Sequence, residues 1–159
     1  MTFTLTSTDV PDGGVLGDAQ VQAKGNTSPQ LSWSGAPEGT KSYAVTLYDP
    51  DAPTGSGFWH WTVANIPADV TELVAGAGSP GGDLPTGAVQ GRTDYGKAGF
   101  GGAAPPPGNG PHRYIFTVFA VDTQRLEVTP DDSGAVFGFN LHFHTLARAS
   151  ITATYENRA

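Results

Sequence analysis

The stretch HRYIFTVFAVD (112–122) carries apolar side chains, aromatics included, on both of its alternating faces. A strand with one solvated face alternates apolar with polar, so this pattern requires cover on both sides. Two further segments share it. SYAVTLYD (42–49) places Tyr43, Val45 and Leu47 on one face and Ala44, Thr46 and Tyr48 on the other. In residues 60–66, His60, Thr62 and Ala64 alternate with Trp61, Val63 and Asn65. Three such runs demand a central sheet sandwiched between other layers.

The rest of the chain is built for turns. Its 22 glycines and 13 prolines are spread among short aromatic and β-branched runs and do not gather in one low-complexity tail. That distribution suits many short strands and tight connections. Residues 2–6 and 31–33 are shorter strand candidates, separated by turn sequences such as PDGG (11–14). Residues 75–110 form a long polar and glycine-rich stretch, a length that is usually functional or partly disordered. Helical spacing occurs only near the end, where Phe139, Phe143, Leu146, Ser150 and Ala153 recur every three or four residues. This reads as one helix with that face packed on the sheet, preceded by a turn that Asp131, Asp132 or Ser133 can cap. No repeat or linker divides the chain, so a single mostly β domain over residues 1–159, with a C-terminal α-helix, is expected.

Charge excludes several function classes. The formal net charge is -7, with eight Lys and Arg and no run of like charges. Nucleic acid calls for a basic stripe, and anionic membranes repel such a chain. Without cysteine there is no disulfide, thiolate ligand or thiol nucleophile. No apolar stretch is long enough to span a bilayer, so no integral membrane association is expected. The start, MTFTLTSTDVPDGG, shows no signal peptide, which gives a cytoplasmic expectation.

Chemistry-bearing residues gather at the ends of the buried runs. DPDAP (49–53) follows the first, His60 opens the second, and PHRY (111–114) opens the third. Read singly, DPDAP is a turn, His60 a satisfied core histidine, and Trp59 and Trp61 are core or wall. Arg113 lies on the opposite strand face from His112 and suits a structural salt bridge. His142 and His144, two apart on the expected helix, point to different sides, so no metal site is expected. GFGGAAPPPGNG lacks the Lys-Ser/Thr ending of a phosphate-binding P-loop, and no Gly-x-Ser-x-Gly elbow exists.

Together, DPDAP followed by WHWTVANIP, then YGKAGFGGAAPPPGNGPHRYIFTVFAVD, then LHFHTLARASITATYE, resemble the phosphatidylethanolamine-binding protein family, also called Raf kinase inhibitor-like proteins. The bacterial YbhB/YbcL-like branch is the nearest in pattern. The resemblance implies a central β-sheet with a smaller second sheet and C-terminal helical structure. It implies a pocket for a small anion or phosphorylated ligand, no cofactor, and, as is common in the bacterial branch, a homodimer. Carried over by motif, the ligand-binding residues are Asp49, His60, Gly101, Gly102, His112 and Tyr114, with Asp51 and Pro53 shaping the turn.

Elementary chemistry accommodates those roles. Imidazoles donate to phosphate oxygens and become cationic with a small pKa rise. Glycine-rich backbone can form an anion-binding nest. The prolines at 105–107 stiffen their loop. An aspartate beside an anion is repulsive unless it orients a histidine or accepts a proton. Asp49 is therefore assigned to the ligand and its histidine, and Asp51 to the backbone of the turn. A binding protein that modulates kinase or phosphoprotein signalling is the leading reading. The alternatives are a hydrolase using a His–Asp pair, and a homodimeric interaction module whose pocket is vestigial.

Overall fold

The three doubly apolar runs become the middle of a five-stranded antiparallel sheet with strand order β6-β4-β3-β7-β8 in a computed structural model that describes residues 2–158. Here β3 is Ser42–Asp49, β4 Phe58–Pro67, β6 Val89–Gln90, β7 His112–Val121 and β8 Thr145–Tyr155. A smaller sheet of order β1-β2-β5 lies over one face, built from β1 (Thr4–Thr6), β2 (Leu31–Ser34) and β5 (Glu72–Leu73).

The two faces of the large sheet are covered differently. One packs Val45, Leu47, Trp61, Val63, Phe116 and Val118 against Leu5, Leu31 and Trp33 of the small sheet. The other sets Ala44, Ala64, Phe119 and Val121 against Leu126, Val128, Phe137 and Leu141. Phe137 and Leu141 belong to helix α1 (Gly134–His144). Cover on both sides is what the sequence of these strands requires.

The end of the chain differs from the sequence expectation. Helix α1 stops at His144, and residues 145–155 form β8, hydrogen-bonded along β7 from His112↔Tyr155 to Val121↔Thr145. Ser133 caps the helix by accepting from the Val136 N–H. At the other end the Thr145 hydroxyl donates to Leu141 O at 2.6 Å, and the chain turns directly into the strand. Of the face expected to pack on the sheet, Phe139, Phe143 and Leu146 are exposed. The helix instead buries the face carrying Phe137 and Leu141.

The long segment 75–110 is held by its own bonds. Arg92 pairs with Ala98, and Val21 with Ala103, in isolated bridges. The Gly101 N–H, donating to His60 O at 2.9 Å, ties the glycine-rich chain back to the start of β4.

Candidate functional site

Asp49 ends β3, Phe58 opposite it starts β4, and His112 starts β7, so the strand register brings the three segments to one end of the large sheet. There Asp49 and His112 are each 2% exposed and His60 is 3% exposed. Asp49 Oδ2 accepts from His112 Nδ1 at 2.7 Å, and Oδ1 accepts the Asp51 backbone N–H at 2.8 Å. One carboxylate therefore both orients the histidine and fixes the turn.

Asp51 acts elsewhere. Its carboxylate crosses to β7, accepting the Arg113 backbone N–H at 2.8 Å and the guanidinium through Nε at 3.0 Å and Nη2 at 2.9 Å. The Arg113 guanidinium holds its carboxyl down at about 2. The expected salt bridge of Arg113 and the expected pairing of Asp49 with a histidine are present, but the turn is not the work of Asp51. Asp49 closes the turn, while Asp51 clamps two strands together. Pro53 lies in this turn and walls the pocket.

His60 is fixed from behind. Its Nδ1 donates to Gly101 O at 2.9 Å, while the Gly101 N–H donates to His60 O at 2.9 Å. With Nδ1 carrying the proton, Nε2 of the neutral ring is an acceptor. Burial lowers the histidine pKa, outweighing the nearby carbonyls and Asp49, so the neutral form is favoured.

The glycines do not supply the expected anion nest. Gly101 N–H is spent on His60, and Gly102 N–H donates to Asn26 Oδ1 at 2.8 Å. They are glycines because of close approach. A Cβ on Gly101 would sit 2.4 Å from the Tyr95 ring, and one on Gly102 would sit 2.4 Å from Gln20 O. Gly101 lets the loop pack against Tyr95 and His60, and Gly102 lets it pack against the backbone of residues 20–22.

The resulting pocket has a volume of about 220 Å³, and Phe58, Tyr95, Ala104, Pro105 and Pro106 complete its wall beside the polar residues. The Tyr95 hydroxyl donates to Gly102 O at 2.7 Å, and burial pushes its pKa up to about 12. Tyr114 is fully buried, and its hydroxyl makes no well-aligned hydrogen bond among the described residues. Burial and then Asp49 raise its pKa, with the Ala104 N–H opposing them. Tyr114 O–H thus faces the Asp49 carboxylate and Ala104 N–H faces the Tyr114 oxygen, neither in a well-aligned bond, and His60 Nε2 is an acceptor.

His112 Nε2 is covered by Asn109, whose Oδ1 lies 2.5 Å away. That residue, the Ala104 backbone, Phe58 and Tyr95 are site residues that the sequence reading missed. The aromatic within TDYGKAG was the available signal for Tyr95. Trp61 is core, and neither it nor Trp59 lines the pocket.

Away from the pocket, His144 Nδ1 pairs with Asp122 at 2.8 Å. Among the described residues, no group of three or more metal-ligating side chains converges, and no helix is long and apolar enough to cross a membrane.

Comparison with known proteins accounts for this architecture. The family model described as phosphatidylethanolamine-binding protein matches residues 6–156. Escherichia coli YbcL is 55% identical over 160 residues, covering 97% of this chain and 87% of that protein. E. coli YbhB is 54% identical over 157 residues, covering 96% of this chain and 99% of that protein. The crystal structure of E. coli YbcL, described as a new member of the mammalian PEBP family, superposes with a TM-score of 0.96 at 54% identity, covering 99% of this chain and 100% of that one. The strand-end pocket, the two sheets and the sequence motifs converge on one conclusion: the chain belongs to the phosphatidylethanolamine-binding protein family.

Proposed function

We propose that the chain binds a small phosphoryl-bearing ligand, as hydrogenphosphate or a phosphomonoester, in the pocket of Asp49, His60, His112 and Tyr114. The observation that carries this is the mixed set of groups facing the cavity. Tyr114 O–H and Ala104 N–H, held only by poorly aligned contacts to Asp49 and to the Tyr114 oxygen, can turn to donate to phosphoryl oxygens, while His60 Nε2 can accept the ligand's own P–O–H. A buried Asp49 beside the site penalises a fully ionised ligand and favours one that carries a proton. The name of the matching family, phosphatidylethanolamine-binding, agrees with a phosphoryl head group. On this reading the protein sequesters phosphoryl groups, and a kinase or other phosphoprotein is the class of protein partner it modulates.

Turnover is the weaker reading. A hydrolytic His–Asp pair needs a free ring nitrogen, and Asn109 covers the one His112 would use. The Thr54 hydroxyl, which lines the pocket, is donated to Gly57 O.

The test is a titration of phosphate and then phosphoethanolamine at pH 6 and pH 8, followed by amide and imidazole NMR. Saturable shifts at Asp49, His60, Ala104 and His112, stronger at pH 6, are expected. Unchanged affinity in His112→Ala would sink the reading.

A second reading, self-association, rests on a separate observation. Thr152 and Thr154 on the outer edge of β8 are bonded by Gly13, Gly14 and Leu16. The outward backbone groups of Arg148 and Ser150, which share their parity, have no partner among the described residues. That open edge adjoins exposed Phe139, Phe143 and Leu146, and a second copy can pair with it about a two-fold axis. Light scattering should give a dimer mass that falls to monomer in Phe139→Asp/Phe143→Asp. A monomeric wild-type chain would end this reading.

A further inference from the structure

A second cavity, of about 340 Å³, shares no lining residue with the main pocket, and Asn26, Ser79, Gln90 and Lys97 supply its polar side chains. The orientation of each uncharged group is forced by a partner that can only donate. Trp61 Nε1–H donates to Gln90 at 2.7 Å, so that contact must be Oε1 and the Gln90 NH₂ is left over. The Gly102 backbone N–H donates to Asn26 at 2.8 Å, fixing Oδ1 there and freeing the Asn26 NH₂. The Ser28 backbone N–H donates to Ser79 Oγ at 3.0 Å, leaving the Ser79 O–H to find an acceptor.

None of these three donors has an acceptor among the described residues, and no carboxylate lines the cavity. Lys97 adds an ammonium that forms no ion pair with any described residue. Donors therefore dominate the polar lining, in a chain whose formal charge is -7. The remaining lining is apolar, from Ala77, Pro80, Leu84 and Phe100. Half-apolar cavities with a few convergent polar groups are the usual form of small-molecule sites.

We propose that this cavity is a second binding site, for an organic carboxylate with a short apolar body. The carboxylate accepts from Lys97 and from the Asn26 and Gln90 amides, while the body lies on Phe100 and Leu84. The site goes beyond the phosphoryl pocket and does not depend on it, because it uses none of Asp49, His60, His112 or Tyr114.

Benzoate and its uncharged counterpart benzamide test this on the full chain by ¹H–¹⁵N NMR. Benzoate should shift the Asn26 and Gln90 side-chain amides and the Gly81 and Gly99 backbone saturably. Benzamide, and benzoate on Lys97→Gln, should each bind roughly tenfold more weakly, as expected for the loss of one charge-assisted hydrogen bond. Gln90→Glu keeps an acceptor for Trp61 but replaces the NH₂ with a charge, and it should abolish benzoate binding while Trp61 fluorescence stays native. Shifts confined to Tyr95, His60 and His112 would overturn the proposal, as would equal binding of benzamide or no saturation. Additional shifts at the main pocket leave it standing only if Lys97→Gln removes the Asn26 set alone.

Discussion

The pocket end of the large sheet and the α1–β8 corner break the same rule in opposite directions. At the pocket, Asp49, His60 and His112 are ionisable yet almost wholly buried. At the corner, Phe139 and Phe143 are large and apolar yet 68% and 63% exposed. The pocket's exceptions are compensated inside the chain: Asp49 to His112 and Asp51, His60 to Gly101, and Gly102 to Asn26 and Tyr95. The corner phenylalanines meet each other edge to face at 5.2 Å between ring centres, and Phe143 meets the His142 ring at 5.0 Å, yet both stay mostly exposed. Buried polar groups cost free energy unless they are bonded, whereas exposed apolar groups cost little until a partner arrives. One region therefore satisfies its buried polar groups within the chain, and the other leaves apolar side chains in solvent.

The sharpest test of that contrast truncates both kinds of exception. Asp49→Ala leaves His112 buried without its carboxylate and the Asp51 N–H without its acceptor, and urea unfolding should show a loss of about 3–5 kcal/mol. Phe137→Ala, on the buried side of α1, should cost a similar ~3–5 kcal/mol by leaving a cavity. Phe139→Ala lies two residues away on the same helix and should change monomer stability by less than about 0.5 kcal/mol. Equal losses for Phe137→Ala and Phe139→Ala would show that the corner is packed and not open.

Acidity separates the regions further. Because burial sets the folded pKa of His60 below its ordinary value, the unfolded chain takes up a proton first as pH falls. Stability tied to His60 is full above about pH 6.5, the ordinary histidine value. It declines as pH drops from there through the folded pKa. His60→Gln should flatten that part of the stability–pH curve. A small effect is also expected of Asp51→Asn. The Asp51–Arg113 pair is part exposed, with side chains 30% and 56% accessible, so roughly 1 kcal/mol or less is expected at neutral pH. Its contribution is present above the usual carboxylate range and is lost as pH falls through about 2.

These residues also show what a sequence can disclose. The buried strands were legible because Tyr43 to Tyr48 and Tyr114 to Val121 carry apolar groups on both faces, a pattern few other elements need. His60, His112 and Asp49 each sit at the end of such a run, but it was the family motifs, and not that position alone, that singled them out. β8 was not, because LARASITATY mixes good helix formers with a period-two pattern and no Gly or Pro marks the change at Thr145. The commitments of Gly101 and Gly102 were invisible for a different reason. The partner of Gly102 is Asn26, far away in the chain, and only the fold brings them together.

The passage from α1 to β8 carries a last consequence. His144 ends the helix and Thr145 begins the strand, with Leu141 O bonded by the Thr145 hydroxyl and His144 O by the Asp122 N–H. With no slack residue at this junction, the helix cannot detach while the outermost strand stays paired. Amide protons of Leu141 and of Ala147 should therefore exchange with solvent as one cooperative unit, with protection lost together.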